Sequence, residues 1–220
     1  MRIGQYTKRA LDASLDAEEH NVMQDTNGYK FRPETTAMVL IDQQIGTATM
    51  IHTQPKEMCI RNAAVLAMTA KTLGMPLVLT SSMEDHFQGL IAPEIQQAAP
   101  EEYARRVKRQ GIVDAWDDPN FKGAVVATGR KQLIMAAFTT DICLVFPSIA
   151  AVKDGYAVKA VLDASGSVFD ISEDAARAQM NREGVMLTAT ITIMAELVQN
   201  WAGPHGPELQ QLMMSTLPKE

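Results

Sequence analysis

The sequence predicts an α/β fold: a doubly wound, mostly parallel six-stranded sheet with helices on both faces, in three Rossmann-like layers. Three observations carry this. Short runs rich in Val, Ile and Leu recur along the chain. They are apolar along their whole length rather than alternating, as strands covered on both faces must be. Longer segments at helical spacing separate them, supplying the crossovers that parallel strands need.

Taken in order, residues 1–33 mix charges, Asn, Gly and Pro without sustained periodicity and read as an extension with one short helix. The core domain is assigned to 34–203. Its first strand is Ala37–Ile41, followed by a helix over Pro55–Leu73. Pro76–Thr80 reads as the second strand, Tyr103–Arg109 as the third and Gln132–Ala137 as the fourth. Ala157–Leu162 and Val185–Thr188 are the fifth and sixth. Helices are predicted near 117–128, 141–153, 172–182 and 190–201, several announced by Asp or Ser at the N-cap. A tail or helix occupies 204–220.

At 220 residues, 46% hydrophobic and 21% charged, the chain suits one domain with a sizeable core. A net charge of -6 argues against nucleic-acid or anionic-membrane partners, which need a basic face. No stretch approaches the roughly 18 uninterrupted apolar residues of a membrane span. The N-terminus lacks the apolar block of a secretory signal, so a cytoplasmic protein is expected. In that compartment Cys59 and Cys143 read as free thiols, Cys59 packing in the core.

Ligands of such sheets bind beyond the carboxyl ends of the strands, where the strand order reverses. No G-x-G-x-x-G or P-loop follows the first strand; Asp42-Gln43-Gln44 stands there instead. Cys143 lies in a short link from the fourth strand into a helix. A helix N-terminus favours the thiolate and lowers the thiol pKa, and its free N–H groups can receive an oxyanion. Asp42, at the mouth of the first strand, is a general base for Cys143 if the first and fourth strands are neighbours.

The basic cluster Arg105, Arg106, Lys108 and Arg109 ends the third strand, and alternation lets only one of Lys108 and Arg109 face the site. A cation there keeps Asp42 ionised and offsets charge developing on the substrate. Each residue also has a plainer role: Cys143 as a buried hydrophobe, Asp42 as a turn cap, the cluster as a solvated strand end, Trp116 as core or interface. Glu84 and His86 could begin a metal site, but His20, His52 and His205 are distant in sequence, and no metal is expected.

Asp after the first strand, a cation ending the third and Cys opening the helix after the fourth resemble the Asp-Lys-Cys arrangement of isochorismatase-like cysteine hydrolases, above all their YcaC-like branch. The resemblance covers approximately residues 35 to 200. It runs through Val39–Gln44, Ala115–Asp118, Ala127–Leu133, Thr140–Cys143, Phe146–Pro147 and Asp163–Gly166. It implies that Asp42 is the base and Cys143 the nucleophile. It also implies a non-proline cis peptide at Phe138–Thr139, aiming the Thr139 and Cys143 N–H groups into an oxyanion hole, and a substrate pocket including Gln44, Glu84, Trp116 and Thr140.

Reading back from Ala115-Trp116 puts Arg109 rather than Lys108 at the family's lysine position. Arginine stays protonated, so its contribution is electrostatic and geometric. The D-x-H zinc pattern of related nicotinamidases is missing, since Asp85 and His86 are adjacent, and no cofactor is called for. The family's isochorismate-cleaving enzymes lack the cysteine, which disfavours an enol-ether substrate. The expected reaction is hydrolysis of a C–N bond in a small amide, ureide or carbamoyl compound through a thioester. The expected assembly is a homo-oligomer, with an octamer among the counts anticipated and Leu212–Met214 supplying contacts. Two alternatives are a binding protein that kept the pocket and lost turnover, and a thiol redox protein using Cys143.

Overall fold

The computed structural model describes residues 30–217, and from Arg32 onward the chain makes one compact unit. Apart from residues 30–33, the predicted N-terminal extension and its short helix lie outside the described residues.

The strands are β1 (Thr36–Ile41), β2 (Leu77–Ser82), β3 (Val107–Arg109), β4 (Gln132–Ala137), β5 (Ala157–Val161) and β6 (Met186–Thr188). They form one sheet in the order β3-β2-β1-β4-β5-β6, and every pairing is parallel. The chain winds outward from β1 to β3, then returns to place β4 on the other side of β1. The order therefore reverses between β1 and β4, with Ile41 opposite Ala137 at their carboxyl ends.

Burial on both faces explains the unbroken apolar runs. Ala37, Val39 and Ile41 of β1 and Leu133, Met135 and Ala137 of β4 face one core layer, with Trp116, Phe121, Val145 and Ile149 packed above. Met38, Leu40, Ile134 and Ala136 are equally buried on the opposite side of the pleat. That side is covered by the helix Lys56–Thr72.

The helices are α1 (Ile45–Ala48), α2 (Lys56–Thr72), α3 (Pro93–Ala98), α4 (Pro100–Ala104) and α5 (Pro119–Val126), then α6 (Val145–Lys153), α7 (Asp170–Arg182), α8 (Thr190–Val198) and α9 (Gly206–Met214). On α2, Cys59, Ala63, Leu66, Ala67 and Ala70 are fully buried at helical spacing, a stripe of mostly small residues that lets the helix lie close on the sheet. Asp118 caps α5, accepting from the Asn120 and Phe121 N–H groups at 2.9 and 3.0 Å, with Pro119 at the first helical position.

Three departures from expectation have physical causes. The third strand begins at Val107, because Tyr103 belongs to α4; the Arg106 guanidinium stacks 3.9 Å over the Tyr103 ring and ends the helix there. Helices α3 and α4 each start on a proline, a residue suited to a first turn. Beyond residue 203 the chain is no separate tail: Leu209 of α9 is fully buried with Val65 and Met194, and Leu212 and Met213 pack on that cluster. Burying one such leucine is worth about 1.5–3 kcal/mol.

Candidate active site

Asp42 follows β1 directly and adopts φ 53°, a left-handed conformation that Asp tolerates better than most side chains. Its N–H donates to Thr80 O at 2.9 Å, extending the ladder one residue, and its own carbonyl accepts from Gln44 N–H at 2.7 Å. The chain turns sharply away, leaving the carboxylate buried over the switch point.

Arg109, the last residue of β3, is 1% exposed. Its Nη2 donates to Asp42 Oδ2, its Nε to Thr80 Oγ1 at 3.1 Å and its Nη1 to Ile112 O at 2.7 Å. Thr80 in turn donates to Val107 O at 2.9 Å. Each guanidinium nitrogen is thus occupied, and the cation is fixed against Asp42. Lys108, one residue earlier, points the other way; its ammonium is largely exposed, 3.5 Å from Glu84 Oε2. Alternation along the strand decides between them, and Lys108 is corrected from a candidate to a surface residue.

Cys143 lies in a π-helical turn, Thr140–Leu144, that leads into α6. The Leu144 N–H reaches back to Thr139 O at 3.1 Å. The Phe138–Thr139 peptide is cis, and Phe138 N–H donates to Ile41 O at 3.2 Å. Thr140 and Gly166 clasp one another: Thr140 N–H donates to Gly166 O at 2.8 Å, and Gly166 N–H to Thr140 Oγ1 at 2.7 Å. Gly166 has φ +116°, and a Cβ there would stand 2.7 Å from Ile51 Cγ2, so only glycine fits.

Asp141 ties the turn to the start of α7. Its Oδ1 accepts from Thr139 Oγ1 at 2.5 Å, its Oδ2 from Ser172 Oγ at 2.6 Å, and its N–H donates to Ser167 Oγ at 3.2 Å. Ser167 itself donates to the buried Glu173 at 2.5 Å, which also accepts from Arg177 Nε at 2.9 Å.

The Cys143 thiol and the Asp42 carboxylate line the same cavity, and each acts on the other's titration. Asp42 Oδ1 is buried with no hydrogen-bond partner. Burial raises the Asp42 pKa above the ordinary carboxylate value, while the Arg109 cation and the bonds from Arg109 and Cys143 pull it down. The thiol behaves oppositely to expectation. Burial first, then the Asp42 charge and the hydrogen bond to it, push the Cys143 pKa well above its ordinary value, outweighing the Thr139 N–H bond and the Arg109 charge that lower it. A helix N-terminus favours a thiolate, but here desolvation and a facing carboxylate dominate. Both influences favour the protonated thiol.

A cavity of about 220 Å³ opens beside this pair, lined by Asp42, Thr47, Met50, Ser82, Phe87, Gln88, Gly111, Ile112, Val113, Thr139, Ile142 and Cys143. The predicted pocket residues are corrected, because each is engaged elsewhere. Gln44 is buried behind the wall: its Nε2 donates to Ser82 O and Gly89 O and its Oε1 accepts from Ser82 N–H. Glu84 accepts from Arg106 Nε at 2.5 Å and Nη2 at 2.9 Å and from Ser81 Oγ at 2.7 Å. Trp116 packs edge-on against Phe121 and Tyr156, its indole N–H donating to Asp154 at 2.8 Å. Thr140 is fully buried in its clasp with Gly166.

The walls come from α1 and the loops 83–91 and 110–113. Ile45 and Gly46 N–H groups donate to Leu90 O and Gln88 O, both at 2.9 Å. A Cβ on Gly46 would stand 1.8 Å from Phe87 O, so its absence is what lets the two segments touch. No periodic pattern marks these loops, although Ile112-Val113 and Phe87 were visible as apolar residues among loop residues. Among the described residues no group of three or more His, Cys, Asp or Glu is arranged to hold a metal ion. No helix there is long and apolar enough to cross a membrane.

Comparison with known proteins agrees with this geometry. The family model described as the Isochorismatase domain matches residues 36–192. The chain is 31% identical to the Escherichia coli protein named "Probable hydrolase YcaC" over 196 residues, 84% of this chain and 93% of that one. The structure of Pseudomonas aeruginosa YcaC with hexane-2,5-diol and covalent acrylamide superposes with a TM-score of 0.77 at 31% identity, covering 85% of this chain and 96% of that one. Escherichia coli YcaC, described as an octameric hydrolase of unknown specificity, gives 0.77 at 30% identity with the same coverage. A Caenorhabditis elegans MAR1 ribonuclease, at 19% identity and a TM-score of 0.76, shares the fold. With the parallel sheet, its switch point and these matches in hand, the chain belongs to the isochorismatase family of hydrolases, in its YcaC-like branch.

Proposed function

We propose that this hydrolase cleaves a C–N bond of a small carbonyl compound through a thioester on Cys143. The observation that carries the reading is the succession Arg109–Asp42–Cys143, whose last two members line one cavity. As the sulfur attacks the carbonyl carbon, Asp42 takes the thiol proton, so no free thiolate need be stored. The Thr139 and Cys143 N–H groups receive the carbonyl oxygen as it becomes an oxyanion; Thr139 N–H already faces the sulfur. Protonated Asp42 returns the proton to the leaving nitrogen, the C–N bond breaks, and an amine or ammonia departs. Water then attacks the thioester, Asp42 takes its proton, and a carboxylic acid and the thiol are released. Arg109 holds the Asp42 carboxylate in place and balances its charge throughout.

Acrylamide, the covalent group in the Pseudomonas YcaC structure, is an electrophilic amide, the class of molecule this reading has Cys143 attack. The redox alternative needs an ionised, accessible thiol, and the raised Cys143 pKa weighs against it.

The test is ammonia or amine release from a library of small amides and ureides, with intact mass to detect an acyl-enzyme. Turnover that disappears in Cys143→Ala supports the reading. Ligands that bind without product or adduct would favour a binding protein. The octameric relative also supports a homo-oligomer, octameric in count; light scattering that returned the 24.1 kDa of one protomer would exclude it.

A further inference from the structure

The cavity beside Cys143 has a chemistry of its own. Met50, Phe87, Ile112, Val113 and Ile142 give it apolar walls. Set among them, Thr47 Oγ1 and Gln88 Oε1 are buried with no hydrogen-bond partner. Thr47 is 6% exposed. Buried polar atoms are nearly always satisfied; Asp42 Oδ1 is unpartnered too, and three such atoms on residues lining one cavity, two of them able only to accept, point to a ligand that brings N–H groups.

Charge narrows the class further. Among the described residues that line the cavity, Asp42 alone is charged. Its counter-ion Arg109 is not among the lining residues, and each of its three nitrogens already donates within the protein. A substrate carboxylate would therefore lose its water beside a like charge with no cation to receive it. The volume of about 220 Å³ matches roughly seven water molecules at ~30 Å³ each, room for a compact ligand.

We propose that the site takes small neutral primary amides with an aliphatic substituent: Thr47 and Gln88 accept the amide N–H groups, the apolar walls hold the substituent, and Asp42 turns away carboxylate-bearing substrates. The proposal rests on the hydrolase reading above for its chemistry, in which RC(O)NH2 and water give RCOOH and NH3, but its recognition step is testable without turnover.

Iodoacetamide and iodoacetate are a neutral amide and its anionic counterpart of similar size, and both alkylate through the thiolate. The ratio of their rates at one cysteine therefore cancels the ionised fraction. The measurement is this ratio at Cys143, by peptide mass spectrometry, divided by the same ratio for a free cysteine peptide. High salt screens the protein's net charge of -6. The expected result is a preference for iodoacetamide of about tenfold or more over the free thiol, the scale on which polar recognition discriminates.

Thr47→Val, nearly isosteric, should slow iodoacetamide several-fold and leave iodoacetate unchanged. Val113→Lys, which places a cation on the wall, should accelerate iodoacetate. A ratio equal to the free thiol's, or a Thr47→Val ratio equal to the parent's, overturns the proposal even if some amide is hydrolysed. A clear preference in a protein that releases no ammonia from any amide would instead count against hydrolysis and leave neutral-amide recognition standing.

Discussion

The Asp42 carboxylate and the Cys143 thiol meet at the wall of one cavity, where burial and the Asp42 charge hold the proton on sulfur. In the proposed reaction the two are the base and its protonated nucleophile.

Replacing Asp42 by Asn should therefore separate thiol ionisation from turnover. The substitution removes the charge and the hydrogen bond that raise the Cys143 pKa, leaving burial as the remaining cause. Cys143 alkylation should set in at lower pH than in the parent, while amide hydrolysis falls by about 10²–10⁴-fold through loss of the general base. An alkylation profile that moves upward, or stays in place, would show that the two groups are not coupled.

Arg109 and Lys108 are adjacent and should behave very differently. Arg109→Met leaves Asp42 buried without its counter-ion, which typically costs about 3–5 kcal/mol. Arg109→Lys keeps the charge but cannot serve Asp42, Thr80 and Ile112 at once. Lys108→Ala breaks an exposed contact to Glu84, worth at most about 1 kcal/mol, and hydrolysis should stay within a factor of two or so by the same argument. Denaturant midpoints and kcat/KM for the three variants check the order.

Asp141 is a positioning residue. Asp141→Asn keeps the size of the side chain but removes one of the two acceptors that hold Thr139 and Ser172. The stability loss should be about 1–3 kcal/mol. The informative readout is kcat against KM: a turn that holds the nucleophile should lower kcat with little change in KM. A KM effect alone would assign Asp141 to substrate binding.

Alkaline stability should report on Cys59. Burial first, then the Asp163 charge, raise its pKa from 9.0 to about 12. Between these values the unfolded chain has released the proton and the folded chain still holds it. The contribution is complete below pH 9 and is lost as pH rises toward 12. Thermal midpoints should fall over that window, and the fall should be shallower in Cys59→Ala, even though the cavity lowers its midpoint throughout. Parallel curves would mean that another group carries the transition.

Much of this was legible in the chain. The apolar runs 37–41 and 132–137 read as buried parallel strands because both faces are covered, and Asp42 and Cys143 mark their ends. Arg109 was reached through a family motif and then singled out by strand alternation. The third strand was read too long because its few residues follow a helix without a break. The pocket was legible only at its reacting end, Asp42, Thr139 and Cys143. Thr47, Met50, Phe87, Gln88, Ile112, Val113 and Ile142 come from four short segments with no shared period, brought together by loop backbone such as the Gly46 contact with Phe87 O. Gln44, Glu84 and Trp116 lie near the right strand ends, yet each is consumed by a stronger local partner.

β3 pairs with β2 over three residues at the edge of the sheet, Thr80 opposite Val107 through Ser82 opposite Arg109. The cation that steadies the catalytic carboxylate is thus the terminal rung of the shortest ladder beside the site. Edge ladders of this kind open first, well below the global unfolding free energy. Warming should therefore disconnect Arg109 from Asp42 while the central strands are still intact. Strengthening the three-residue pairing of β3 with β2 should raise the temperature up to which Arg109 stays on Asp42, without touching the chemistry.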